Sequence, residues 1–143
     1  MMEVVPFKAH HLTEIDLQCG QQYLSAFITP SQGHALEAQE WSFTGVVNGI
    51  PLASAGVIPM WMGRGMCWAY LSDHARGSKF LAVHRAVKRF LEGVYVQRLE
   101  MTVDTDFEPG HRWAEMLGFE MECAKMRAYR PDGGDCALYA RVL

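Results

Sequence analysis

No stretch of this 143-residue chain approaches the roughly 18 consecutive apolar residues that a membrane-spanning helix requires. Its N-terminus has no basic segment leading into an apolar run, so a secretory leader is not expected and the cytoplasm is the expected location. Positive charge is not in excess: 13 Lys and Arg stand against 16 Asp and Glu, a formal net charge of −3. There is thus no clear nucleic-acid signal, because phosphate contacts need concentrated cations. Cysteine is sparse. Cys19, Cys67, Cys123 and Cys136 lie far apart and form no Cys-x-x-Cys pair, so neither a zinc motif nor a dithiol motif is present, and buried, reduced thiols are expected. His10 and His11 are adjacent and on regular structure would point in different directions, so no metal site is assigned. Repeats, low-complexity tracts and linkers are also lacking, which makes residues 1–143 one expected domain.

What the chain does have is core material. Half of its residues are apolar and a fifth are charged, too hydrophobic a balance for a disordered segment. Residues 2–7 read as a first strand. Leu12, Ile15, Leu17, Tyr23, Leu24 and Phe27 then recur at roughly helical spacing up to Pro30, and a second short helix is expected over residues 31–40. Phe43, Val46 and Val47 lead into Asn48-Gly49, a strong hairpin signal, and Pro51 and Pro59 should confine the returning strand to residues 52–58. Residues 66–71 read as a central strand. Phe80, Val83, Val87 and Phe90 mark the clearest helix of the chain, with Arg85, Lys88 and Glu92 off its apolar stripe. A strand over residues 95–103 follows, then a helix through Trp113 and Met116 that should stop at Gly118 with a left-handed residue. Residues 119–129 and 136–143 read as a closing strand pair around Arg130-Pro131-Asp132-Gly133-Gly134.

This element order resembles the GNAT superfamily of acyl-CoA-dependent N-acyltransferases, and two local motifs carry the likeness. His74-Ala75-Arg76-Gly77-Ser78-Lys79 stands where the family has its R/Q-x-x-G-x-G/A loop, though His74 and Lys79 depart from the pattern and Gly77 alone is retained. Gly110-His111-Arg112-Trp113-Ala114-Glu115-Met116-Leu117-Gly118-Phe119 resembles the family's helix-to-strand stretch ending in Leu-Gly-Phe. The His-x-Arg-aromatic helix and Cys67-Trp68 further resemble the GNAT-like proteins of tailed bacteriophages, including those named internal virion protein A. The resemblance implies an α/β (α+β) fold with a mixed, mostly antiparallel central sheet flanked by helices.

The resemblance also implies chemistry. Acetyl-CoA would be the cosubstrate, with the backbone of Ala69, Tyr70 and Leu71 holding its thioester region. The amides of Arg76, Gly77, Ser78 and Lys79 would hold its pyrophosphate, and the Arg76 and Lys79 side chains would lie near phosphate oxygens. The acceptor would be an amine on a small molecule or a protein. The tyrosine that commonly protonates the leaving thiolate is replaced by Ala114, and the asparagine common at the start of that helix by Phe107. His111, one helical turn before Ala114, is the candidate acid, and Asp104, at a strand end, the candidate base. The alternative is a phage-type protein that keeps the fold without catalysis, as a homo-oligomer or virion component that binds a partner. Trp41, Trp61, Trp68, Trp113 and the nine methionines are core or pocket material. Met60-Trp61-Met62 is the best candidate for a contact surface.

Overall fold

Asn48 and Gly49 both take positive φ, 52° and 78°, the geometry that lets a two-residue turn follow the twist of its strands. They join β2 (Ser42–Val47) to β3 (Ile50–Trp61) in an antiparallel hairpin with an irregularity between Gly45 and Val46. β3 is longer than expected, because neither proline stops it. Pro51 sits opposite Val46 at that irregularity. Pro59 falls beyond Gly56, where the register with β2 has ended, so its missing N–H removes no bond from that ladder.

The computed structural model describes residues 1–143. Its remaining elements are β1 (Glu3–Pro6), α1 (His11–Glu14), a 3-10 helix (Cys19–Ala26), α2 (Pro30–Glu37), β4 (Arg64–Leu71), α3 (Ser78–Glu92), β5 (Arg98–Asp104), α4 (Glu108–Met116), β6 (Glu120–Met126) and β7 (Cys136–Val142). The seven strands run in the order β1-β2-β3-β4-β5-β7-β6, with β4 fourth of seven. β1 with β2, β2 with β3, β5 with β7 and β6 with β7 pair antiparallel, while β4 with β5 is parallel over residues 64–66 and 98–100. The fold is the expected mixed, mostly antiparallel sheet with helices.

The single long helix expected over residues 12–27 is instead two short pieces. Ile15 leaves the helix with extended backbone, Leu17 forms an isolated bridge with Ser72, and Asp73 N–H donates to Asp16 O at 2.7 Å. Pairing with the end of β4 overrides the helical periodicity here.

The chain divides into two compact units, residues 1–58 with 68–94, and residues 59–67 with 95–143. The first unit has a core of Phe7, Leu12, Ile15, Leu17, Leu36 and Tyr70. α3 buries Val83, His84 and Leu91, while Phe80, Val87 and Phe90 are half-buried, and Phe90 meets Phe43 edge-on at 5.3 Å. The expected stripe is therefore present but rotated towards His84 and Leu91. Gly56 lets Trp68 approach β3, since a Cβ there would fall 2.9 Å from the indole and 2.1 Å from Trp41 O. In the second unit Leu99, Ala114, Ala137 and Tyr139 are buried, and Gly118 ends α4 with φ of 89°, as expected. Of the cysteines, Cys136 is buried, Cys67 and Cys123 are partly buried and Cys19 is exposed, so the expectation of four buried thiols holds fully at Cys136 alone. No helix is long and apolar enough to cross a membrane.

Candidate functional site

Along β4, backbone groups alternate between its two edges. Ser72 N–H donates to Leu52 O of β3, so residues 69, 71 and 73 address the opposite edge. That edge is occupied by the chain itself. Gln21 Nε2 donates to Ala69 O at 2.7 Å, and Leu71 N–H donates to Gln21 Oε1 at 2.9 Å. Gln18 N–H donates to Leu71 O at 3.0 Å, and Gln18 Nε2 adds a second donor to Gln21 Oε1 at 3.1 Å. The orientation of the Gln21 amide is settled by its partners, because Ala69 O can only accept and Leu71 N–H can only donate. Of the three residues expected to face an acyl group, Ala69 and Leu71 thus have edge groups already paired. Tyr70 turns its hydroxyl to Gln32 Nε2 at 3.0 Å, and burial raises its pKa.

The loop after β4 leads directly into α3. Gly77 precedes the helix with φ of 57° and ψ of −127°, a conformation that only glycine adopts readily, and nothing stands within 4 Å of the position a Cβ would take. Four amides were expected to face an anion here, and two of them are used internally. Arg76 N–H donates to His74 O at 2.9 Å and Lys79 N–H to Arg76 O at 3.1 Å, which leaves Gly77 and Ser78 at the start of the helix. No side chain caps that start. The Arg76 guanidinium folds back onto Asp73, reaching its carbonyl and its carboxylate at 2.8 Å each. Lys79 is exposed, and His74 lies 3.5 Å from Asp16 on the surface.

In the second unit His111 and Asp104 are both engaged. His111 Nε2 lies 2.9 Å from Thr105 O and Nδ1 lies 2.7 Å from Tyr139 Oη. A carbonyl accepts only, so Nε2 carries the hydrogen of the neutral ring and the buried Tyr139 hydroxyl donates to Nδ1. Asp104 pairs with Arg130 at 2.9 Å and takes a 3.6 Å contact from the Cys136 thiol, which burial and that carboxylate push up to about 11. Ala114, the residue expected in place of a catalytic tyrosine, is fully buried. Burial pushes the Cys67 thiol up to about 12, so it is a poor nucleophile near neutrality.

A charged cluster also lies in this unit. Glu100 accepts from Arg64 at 2.6 and 2.9 Å and from Arg98 at 2.7 Å, and Arg98 forks onto Glu122 at 2.6 and 3.0 Å. The Arg64 hydrogen bond in particular holds the buried Glu100 carboxyl at about 2. Arg64 stands 4.5 Å over the ring of Trp61, and Trp61, Met62, Arg64, Arg98 and Val142 help line a shallow cavity of about 490 Å³. Met60, Trp61 and Met62 are exposed, as expected of a contact surface, although Met60 and Trp61 belong to β3 and not to a loop. Sequence patterns gave no warning of Gln18, Gln21, Glu100 or Tyr139.

No family model matches the chain, and no curated protein does. Solved structures do. Ard1 from Thermoplasma volcanium superposes with a TM-score of 0.80 at 14% identity, covering 99% of this chain and 97% of its own. The ribosomal-protein-S18-alanine N-acetyltransferase of Escherichia coli gives 0.74 at 16% identity, with 99% and 94% covered. A GNAT-family acetyltransferase from Bacillus anthracis gives 0.71 at 13% identity, with 99% and 94% covered. At these identities the likeness establishes the fold, which is that of GNAT acetyltransferases.

Proposed function

We propose that the protein transfers an acyl group, acetyl in the first instance, from acyl-coenzyme A to an amine. One local observation carries this beyond the fold: α3 begins at a glycine with positive φ, directly after β4, with the amides of Gly77 and Ser78 uncommitted and Lys79 exposed beside them. A helix start of this kind suits a pyrophosphate, because unpaired amides and the helix dipole both favour an anion. The attacking amine would form a bond to the thioester carbon, the C–S bond would break, and the sulfur would leave as the coenzyme thiolate. On this edge of β4 the N–H of Ala69, and that of Leu71 once Gln21 has turned away, would stabilise the oxyanion that forms in between. We assign the amine and thiolate protons to water, and give His111 and Asp104 positioning roles, since each already holds structural partners. The acceptor is an amine of a small molecule or a protein; the Escherichia coli neighbour is named for an alanine of a ribosomal protein.

Calorimetry with acetyl-CoA tests the reading. Gly77→Val should keep the fold by circular dichroism yet weaken binding about tenfold or more, because a β-branched residue is strained at this φ and obstructs close backbone approach. Equal affinity in the two proteins would remove the loop from the site. A second reading rests on the self-paired edge of β4: a phage-type protein that keeps the fold for a partner or a virion. Absence of coenzyme binding by the wild type would favour it.

A further inference from the structure

Four polar groups along the edge of β4, Asp73 N–H, Leu71 O, Leu71 N–H and Ala69 O, are met by one stretch of chain. Asp16 O takes Asp73 N–H, Gln18 N–H gives to Leu71 O, and the Gln21 side chain closes the row at Leu71 N–H and Ala69 O. The last of these differs in kind. Asp16 and Gln18 pair through their backbone, next to the bridge between Leu17 and Ser72, whereas Gln21 pairs through a side-chain amide on a 3-10 helix that has no buried residue. A carboxamide bonded to the C=O of residue i and the N–H of residue i+2 reproduces what the N–H and C=O of one residue in a neighbouring parallel strand would supply. An exposed sheet edge recruits such a partner when none is present. Gln21 thus stands in for the N–H and C=O of one residue of an extended chain, and it presents them on a rotatable side chain and not on its backbone.

We propose that Gln21 is a self-ligand of β4 that competes with the amide-bearing arm of the acyl donor and so sets the affinity for it. The proposal rests on the acyl-coenzyme A reading, because the arm of that cosubstrate carries secondary amides. Opening needs rotation of the Gln21 side chain, while the backbone pairing through Asp16 and Gln18 remains. Gln21 bonds to Ala69 and Leu71, whereas phosphates would be held at Gly77 at the start of α3, so the two halves of the ligand should respond differently to its removal.

The test uses the full chain and two variants, Gln21→Ala, which removes the cap, and Gln21→Glu, which keeps an acceptor for Leu71 N–H but loses the donor to Ala69 O. Amide exchange at Leu71 in the free protein reports the cap itself, and should be slow in wild type and faster in Gln21→Ala. Acetyl-CoA should bind Gln21→Ala about five- to tenfold more tightly than wild type, since the binding-competent state is no longer a minority. Adenosine 3′,5′-bisphosphate, which lacks the arm, should bind both proteins alike. Unchanged Leu71 exchange in Gln21→Ala overturns the cap while leaving the acyltransferase reading intact. Faster exchange with unchanged acetyl-CoA affinity overturns the competition. Faster exchange with no acetyl-CoA binding by either protein overturns both the competition and the reading beneath it.

Discussion

The edge of β4 in the first unit and the end of β5 in the second are both polar, and they commit their groups in opposite ways. On β4 the partners are backbone atoms closed by one removable carboxamide, next to a helix start whose first amides lack acceptors. Around β5 the groups are mutually locked side chains with one backbone carbonyl: His111 between Thr105 O and Tyr139, Asp104 with Arg130, Glu100 between two arginines. A region that must receive a ligand needs groups that can be released at small cost. A region whose charges are already satisfied contributes rigidity instead. Under the proposed function, ligand affinity belongs to the first region and stability to the second, and each can be perturbed separately.

The largest effect should come from Glu100→Ala. The carboxylate is buried and takes three charge-assisted bonds, so its loss leaves Arg64 and Arg98 without a shared partner. Breaking a buried pair by removing one partner typically costs 3–5 kcal/mol, and the arginines here are partly exposed, which reduces the expected loss to about 2–4 kcal/mol. Urea unfolding measures it. A loss below about 1 kcal/mol would mean that the cluster behaves as a surface ion pair, and the contrast between the two regions would fail.

His111→Ala should have a smaller effect on stability, about 1–3 kcal/mol, because it leaves the buried Tyr139 hydroxyl without its acceptor. Its rate effect is the sharper discriminator. A general acid is typically worth 10²–10⁴-fold, whereas a positioning residue whose one ring hydrogen is held by Thr105 should cost turnover less than about tenfold. Single-turnover rates with acetyl-CoA, compared for wild type, His111→Ala and His111→Gln, separate the two. A loss beyond about 100-fold in both variants would make His111 the proton donor expected from its place in the chain.

Strand and turn chemistry were readable where they are local. Asn48-Gly49 specified its hairpin, Gly118 its helix end, and the apolar residues 66–71 the middle strand, because turn geometry and alternation act over a few residues. Residues 15–18 were misread as helix because their backbone is claimed by β4, more than 50 positions along the chain, and no periodicity within a window can register that. The candidate site divides in the same way. Gly77 carried a signal, since its backbone conformation is one that glycine alone takes easily. Gln21 carried none: a glutamine in a polar stretch is ordinary, and its role exists only once Ala69 and Leu71 are beside it.

Acid should separate the two units with the smallest and most graded effect. In the first unit His11 is buried, its Nδ1 accepts from Lys8 N–H at 3.0 Å and lies 2.7 Å from Thr44 Oγ1, which in turn meets Ser54 at 2.8 Å. A proton on Nδ1 would end its acceptance from Lys8 N–H, and burial first, then the neighbouring His10, lowers the His11 pKa from 6.5, with Glu14 and Glu37 opposing. His84 is lowered by its burial too. Below pH 6.5 the unfolded chain therefore holds more protons at these sites than the folded one, so their contribution is complete above 6.5 and declines as pH falls towards the folded values. Glu100 in the second unit is depressed from 4.5 to about 2, and its contribution persists down to about pH 4.5 before declining. Amide exchange followed residue by residue at pH 7, 5.5 and 4 should then show protection falling first in β2 and α3 and later in β5 and β7. His11→Gln, which cannot titrate, should flatten part of the early decline. Protection that stays intact in both units down to pH 4.5 and is then lost in both together would show that neither histidine sets the acid response.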